Sequence, residues 1–86
     1  MITDEEAQKW FDTIRYADWY YNYSDDYGAY SRGEARCNEI YRQGKEANLS
    51  DESKQKIIDL IVKEYGSKQD TVDFFIERVK YIFREQ

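Results

Sequence analysis

Residues 70–83 read DTVDFFIERVKYIF, and large apolar side chains return in them every three or four positions. That spacing matches the period of an α-helix and places the apolar side chains along one stripe. The stripe comprises Val72, Phe75, Ile76, Val79, Ile82 and Phe83. The stretch therefore predicts a helix that opens between Ser67 and Asp70 and buries this stripe against other helices.

The first and third predicted helices have recognisable starts. The first follows Thr3, whose spacing to Glu6 matches a capping box, and it runs to about Asn22. The third follows Ser50, a good N-cap residue, and it ends at Gly66, a residue type common just after a helix. The apolar stripe of the first helix comprises Ala7, Trp10, Phe11, Ile14, Ala17 and Tyr21.

The second helix has two possible starts. It begins either after Ser24, which two acidic residues follow, or after Ser31, which has Glu34 three positions on, and it ends near Ala47. Small residues on one side would let another helix approach closely, and the first helix is the expected neighbour. That side comprises Ala29, Gly33, Cys37, Ile40, Gly44 and Ala47.

The composition supports a chain without β-strands. Proline is absent and only four glycines occur, whereas all-β domains need many turns built from these residues. A length of 86 residues suits a single domain, and short connections favour antiparallel neighbours. We predict one all-α domain over residues 1–86, a small compact bundle of about four helices, or of three plus a short one.

The residues that usually carry catalysis are scarce. The chain has no histidine, and Cys37 lies on the packing side of the second helix, where a small buried side chain is expected. The acidic stretch around Gly28 fails the EF-hand pattern, because tyrosines fall at two of the ligand positions. We therefore predict a non-enzymatic protein with no catalytic residue, no cofactor and no metal site.

The net charge of −5 is unevenly distributed. Residues 1–34 hold eight acidic and three basic residues, whereas residues 35–86 hold ten of each, so the first segment carries the whole net charge. A protein that binds nucleic acid directly usually shows a basic patch, and none is visible in the sequence. We therefore expect no direct contact with nucleic acid.

The sequence offers no segment for a membrane. Its longest apolar runs, residues 60–62 and 74–76, are far too short to span a bilayer, and its acidic start lacks the apolar run of a signal peptide. A single cysteine cannot form an internal disulfide and fits a reducing compartment. These features predict a cytoplasmic protein without a membrane partner.

The first helix holds more large rings than its apolar stripe can absorb. Nine of the fifteen aromatic residues lie between positions 10 and 30, and three of these rings fall on the side opposite the stripe, together with carboxylates. We call this set, with the two acids that follow the helix, the acidic–aromatic face. It comprises Glu5, Asp12, Tyr16, Trp19, Tyr23, Asp25 and Asp26.

The acidic–aromatic face has three possible roles. It is either packed inside the bundle against a second element, or an interface for another protein, or a platform for single-stranded nucleic acid. Tyrosine and tryptophan are enriched at protein interfaces, which supports the second role. The surrounding carboxylates would repel phosphates, which disfavours the third. A smaller choice of the same kind concerns Phe74 and Tyr81, which either pack against the second helix or form a self-association patch.

The leading hypothesis is a binding protein that docks onto a larger protein with a basic, nucleic-acid-handling surface. In size, charge and aromatic content the chain is similar to small acidic phage-encoded inhibitors of host nucleases, including anti-restriction and anti-CRISPR proteins. That resemblance implies carboxylates that occupy a nucleic-acid channel in the manner of a DNA mimic. The alternatives are an assembly protein that homodimerises through its surplus aromatic surfaces, and a subunit that lends acidic groups to a shared active site.

Overall fold

The part of the chain that the computed structural model describes folds into four α-helices. They are α1 (Asp4–Tyr23), α2 (Tyr27–Ala47), α3 (Asp51–Tyr65) and α4 (Gln69–Ile82). The structure describes the backbone of residues 1–23 and 27–84 and the side chains of residues 1–16 and 34–84. Within that part of the chain no residue lies in a β-strand, and the predicted all-α bundle is confirmed.

Side-chain caps define the starts of α1 and α3, as predicted. The backbone N–H of Glu6 donates to Thr3 Oγ1 at 3.1 Å, and the backbone N–H of Thr3 donates back to Glu6 Oε1 at 3.4 Å. At α3 the backbone N–H of Ser53 donates to Ser50 Oγ at 3.2 Å. These bonds satisfy N–H groups that have no partner within the helix itself.

The predicted start of α2 at Ser31 is wrong, because the helix already begins at Tyr27. Serine is tolerated inside helices, so a capping pattern there does not force a start. The competing cap at Ser24 lies outside the described residues. The helix ends ahead of Asn48, whose φ of 49° lies in the left-handed region that asparagine adopts more readily than most residues.

Each helix packs against two others. α1 contacts α2 and α3, and α4 contacts the same two helices, so α1 and α4 face each other across a diagonal. α1 and α3 run parallel, because Lys56 pairs with Asp4 at 2.9 Å near their starts and Arg15 pairs with Glu64 at 3.6 Å further along. The α2–α4 side of the bundle therefore lies opposite the α1–α3 side.

The core joins all four helices, and it contains most of the apolar stripe predicted for α4. Four of the six predicted α4 positions are buried within the helix and a fifth, Phe83, is buried just after it; Ile76 is half-buried. Phe83 reaches across the diagonal to Trp10 in an edge-to-face contact at 4.9 Å. Among the side chains that the structure describes, the buried apolar residues are Ala7, Phe11, Ile14, Cys37, Ile40, Ile57, Ile61, Val72, Phe75, Val79, Ile82 and Phe83.

One buried polar side chain ties the N-terminus to α3. Ser53 is 1% exposed, and its Oγ accepts hydrogen bonds from the Ile2 backbone N–H at 3.0 Å and from Ser50 Oγ at 3.1 Å. Burying such a group without partners would be costly, so these bonds stabilise the start of α1 against α3. No helix among the described residues has the length and apolar character needed to cross a membrane.

The predicted small side of α2 needs two corrections. Cys37, Ile40 and Gly44 are buried, but Ala47 is exposed, because it lies at the end of the helix, beyond the contact with its neighbours. At Gly44 the close neighbour is Ile82 of α4 instead of α1. The surroundings of the two other predicted positions, Ala29 and Gly33, lie outside the part of the chain whose side chains the structure describes.

Gly44 gives a direct test of the contact between α2 and α4. A Cβ added at Gly44 would collide with the Ile82 side chain and lie 2.5 Å from the Ile82 carbonyl oxygen. Alanine in an unhindered helix gains about 1 kcal/mol over glycine, but a collision with backbone cannot be relieved by rotating a side chain. We expect Gly44→Ala to lower the free energy of unfolding by about 1–3 kcal/mol in urea titrations.

The matched control is Asn38→Ala, at an exposed position of the same helix. We expect it to change the unfolding free energy by no more than about 0.5 kcal/mol. A stabilised Gly44→Ala variant would contradict the close approach.

Candidate functional site

The described part of the acidic–aromatic face is open to solvent. Glu5 and Asp12 are exposed, and 59% of Tyr16 is accessible, a large fraction for an aromatic residue. Trp19 and Tyr23 belong to α1, but their side chains lie outside the described residues. Two further predicted members lie outside the described residues altogether: Asp25 and Asp26.

The orientation of this face follows from the core stripe of α1. Ala7, Phe11 and Ile14 are buried, so the positions on the other side of the helix remain at the surface. Along the helix axis Glu5 and Tyr16 are roughly 16 Å apart, at the usual rise per residue. The described face is therefore a stripe that extends along the helix.

Two arginines modify the charge around Tyr16. Arg15 Nη2 lies 3.1 Å from Asp12 Oδ1. Arg36 of α2 lies beside Tyr16 and lines a shallow depression together with Asp12 and Arg15. The Arg15 pairing is visible in the sequence, because residues three apart adjoin on a helix, whereas the approach of Arg36 depends on how α1 and α2 pack. The sequence reasoning missed both, and the surface at Tyr16 is mixed in charge.

The negative charge in the described part of α1 is concentrated at its start. Asp4, Glu5 and Glu6 are consecutive and exposed, and of these Asp4 pairs with Lys56 across to α3. Carboxylates in this position also complement the positive end of the helix dipole. The acidic–aromatic face thus has an acidic end near Glu5 and a mixed end near Tyr16.

A second surface lies between α2 and α4. We call it the basic–aromatic groove, and it is lined by Asn38, Tyr41, Arg42, Lys45, Glu46, Tyr81 and Arg84. The rings of Tyr41 and Tyr81 meet edge to face with their centres 5.0 Å apart. Packing of Tyr81 against the second helix, one of the two predicted alternatives, is therefore confirmed, although 54% of Tyr81 and 44% of the neighbouring Phe74 stay exposed.

Arginine guanidinium groups cover the rings along this surface. The Arg78 guanidinium lies 5.0 Å from the Phe74 ring centre and donates a hydrogen bond to the Tyr41 hydroxyl. The Arg84 guanidinium lies 4.4 Å from the Tyr81 ring centre, and its Nη1 donates to the Tyr81 carbonyl oxygen at 2.8 Å. Cation–π contacts of this kind hold an arginine in place while its edge stays able to bond.

The sequence reasoning singled out Phe74 and Tyr81 but not the arginines. The signal was present, since Arg78 follows Phe74 by four residues and Arg84 follows Tyr81 by three, and such pairs adjoin on a helix. The contribution of Arg42 and Lys45 from α2 was not readable, because it depends on the register between two helices. A balanced count of charges over residues 35–86 concealed this local excess of basic residues.

The described residues offer little to a metal ion. They contain no group of three or more histidine, cysteine, aspartate or glutamate side chains placed to hold one. Cys37 is buried with 7% exposure, as predicted for a small core residue. The two surfaces are therefore the candidate sites in the described part of the chain.

Comparison with known proteins adds no relative. No protein-family model, curated protein or solved structure matches the chain. The function has to be inferred from the chemistry of the two surfaces.

Tyr41 gives a pH-dependent test of the α2–α4 contact. Burial raises the pKa of the half-buried Tyr41 hydroxyl above its ordinary value of 10.0, and the Arg78 guanidinium opposes part of that rise. The unfolded chain therefore releases this proton first, so the free energy of unfolding falls as the pH rises above about 10. We expect the ultraviolet titration of the native protein minus that of Tyr41→Phe to show one tyrosine ionising above its ordinary pKa.

The same variant provides the stability control. Between neutral and alkaline pH, the unfolding free energy of Tyr41→Phe should fall less than that of the native chain. The variant lacks the hydroxyl whose pKa is raised by burial. A difference titration centred at or below the ordinary tyrosine pKa would show that the ring is not held as described.

Proposed function

We propose that the protein is a non-enzymatic binding protein that docks onto a larger protein through the acidic–aromatic face of α1. The single observation that carries this proposal is the exposure of Tyr16, which leaves 59% of an aromatic residue at the surface of α1 beside exposed carboxylates. The core-facing residues of α1 are already buried, so an exposed aromatic ring on its other side contributes little to the free energy of folding. Covering such a ring at an interface would contribute binding energy.

The charge of the chain favours a partner with a basic surface. The exposed acids at the start of α1 would steer such a partner toward this helix, and the net charge of −5 that residues 1–34 carry favours the same kind of partner. Opposite charges across an interface mainly raise the association rate and the specificity, while the rings supply the buried contact. Both parts of the face have a role in this scheme.

The basic surfaces that best suit such a face are those of proteins that handle nucleic acid. Carboxylates repeated along a helix can occupy positions that phosphates would take in a nucleic-acid channel, where duplex DNA presents one charge per roughly 1.7 Å. A protein that fills the channel would block it. We therefore propose an inhibitor of a nuclease or related enzyme, of the kind found among anti-restriction and anti-CRISPR proteins.

A second candidate function is assembly through homodimerisation. The observation that favours it is the exposure of Phe74 and Tyr81, seven residues apart on the outer side of α4. Two copies that bury these rings against each other would remove apolar surface from water. This candidate uses the α4 side of the bundle and leaves α1 uncovered.

Affinity capture from a host lysate tests the α1 proposal. We expect immobilised native protein to retain a basic, nucleic-acid-handling protein at low salt and to lose it as salt rises, because screening weakens exposed charge contacts. The variant Glu5→Lys with Asp12→Lys should capture it at least about tenfold less, since it reverses two charges at the interface. Mass spectrometry would identify and quantify the captured protein.

The matched control is Asp59→Lys with Asp73→Lys, which makes the same change in net charge at exposed positions of α3 and α4. Capture by this control should stay within about twofold of native, because its charges lie outside the proposed interface. If both variants captured equally little protein, net charge alone would explain the result. If the amount captured did not depend on salt concentration, the proposed mode of binding would be excluded.

Light scattering coupled to size-exclusion chromatography tests the homodimer. Under the second candidate the native chain elutes as a dimer, and Phe74→Ser with Tyr81→Ser converts it to a monomer with an unchanged circular dichroism spectrum, because the substituted rings are partly exposed. Tyr16→Ser serves as the control and should leave the dimer intact. A native chain that remains monomeric at high concentration rules out this function.

A further inference from the structure

The basic–aromatic groove has a charge opposite to that of the chain as a whole. Among the described residues that line it, Arg42, Lys45 and Arg84 are basic and Glu46 is acidic. Arg42 donates to both oxygens of that carboxylate, at 3.2 and 3.3 Å. The described lining therefore has an excess of basic residues on a protein whose net charge is −5.

The arginine at the end of the groove is held in a geometry suited to carboxylates. Contact with the Tyr81 ring covers one face of the Arg84 guanidinium, and one N–H bonds to the Tyr81 carbonyl oxygen. A guanidinium carries five N–H donors in a rigid plane, and a carboxylate can accept two of them side by side. Because the stack already restricts the side chain, less freedom is lost when an anion binds.

Two aromatic rings supply an apolar contact among the charged groups that line the groove. Tyr41 and Tyr81 form an edge-to-face pair there, and the groove encloses about 460 Å³. Enclosed ligand sites are mainly apolar and bury most of their ligand, whereas this groove is open and ringed by charge. Its shape suits a segment of polypeptide lying across it better than a small molecule enclosed in it.

We propose that the basic–aromatic groove binds an acidic peptide segment of another protein. One carboxylate of the segment pairs with Arg84, a second pairs with the Arg42 and Lys45 end of the groove, and an apolar side chain between them covers the exposed part of Tyr81. This site lies on the α2–α4 side and is independent of the partner proposed for α1. The protein would then contact a basic surface through α1 and an acidic segment through α2 and α4.

Charge complementarity favours an acidic peptide over a nucleic acid or a second copy of this chain. A nucleic acid would bring dense negative charge close to a chain with a net charge of −5 and against Glu46, whereas a short peptide places a few carboxylates where the basic side chains are. A two-fold interface pairs the same patch with itself. A second copy placed at Tyr81 would therefore bring Arg78 and Arg84 of both copies together, with like charges facing each other.

Fluorescence anisotropy with a defined probe tests the proposal. The probe is a labelled peptide in which pairs of glutamates flank one leucine, and its control carries glutamines in their place. We expect the acidic peptide alone to bind, with affinity that falls as salt rises. Arg84→Glu should weaken binding about fivefold or more, and Tyr81→Ala should weaken it as well.

The matched control is Lys80→Glu, which makes the same change in sign on an exposed α4 residue outside the groove lining. It should alter affinity by less than about twofold, and circular dichroism should show all variants folded. The proposal is overturned if the acidic peptide fails to bind at low salt, if both peptides bind equally, or if Lys80→Glu and Arg84→Glu weaken binding alike. Tighter binding of a single-stranded oligonucleotide of the same charge, or occupation of the groove by a second copy, overturns it too.

Discussion

The close approach of α2 to α4 at Gly44 sets the arrangement on which the basic–aromatic groove depends. No side chain separates Gly44 from Ile82, so the end of α4 lies directly against α2. This brings Tyr41 within reach of both Arg78 and Tyr81, which are spaced along the outer side of α4. The basic–aromatic groove is thus a consequence of one missing side chain in the core.

The same packing separates the two surfaces. α4 contacts α2 and α3 and lies diagonally across from α1, while the N-terminus is held to α3 by the bond from Ile2 to Ser53. Ion pairs between α1 and α3 occupy the side opposite the groove. The acidic start of α1 and the basic groove therefore lie on different sides of the bundle. Such a bundle can present opposite charges to two partners, or to two regions of one partner.

Local patterns in the sequence predicted most of the fold. The stripe from Val72 to Phe83 and the caps at Thr3 and Ser50 are short-range signals, and the structure contains all of them. Apart from the alternative start of α2 at Ser31, the errors concern features fixed by tertiary contacts: the exposure of Ala47 and the neighbour of Gly44. Periodicity assigns a residue to a side of a helix but does not say which helix covers that side, or how far along the contact extends.

The candidate sites were predictable to a smaller degree for the same reason. The exposure of Tyr16 follows from the core stripe of α1 alone, since the ring lies on the other side of the helix. The charge around it does not, because Arg36 arrives from α2. Likewise the cationic character of the groove arises only when Lys45 of α2 and Arg84 of α4 are brought together. Sums of charge along the sequence cannot reveal a patch that two distant segments share.

Energetics distinguish the residues that maintain the bundle from those available for recognition. Exposed ion pairs such as Arg42 with Glu46 contribute about 0–1 kcal/mol, and cation–π contacts at exposed sites contribute about 0.5–1 kcal/mol. Filling a close contact in the core costs more, typically about 1–3 kcal/mol. Substitutions at Tyr16 and Arg84 therefore cost little unfolding free energy, whereas a substitution at Gly44 costs more.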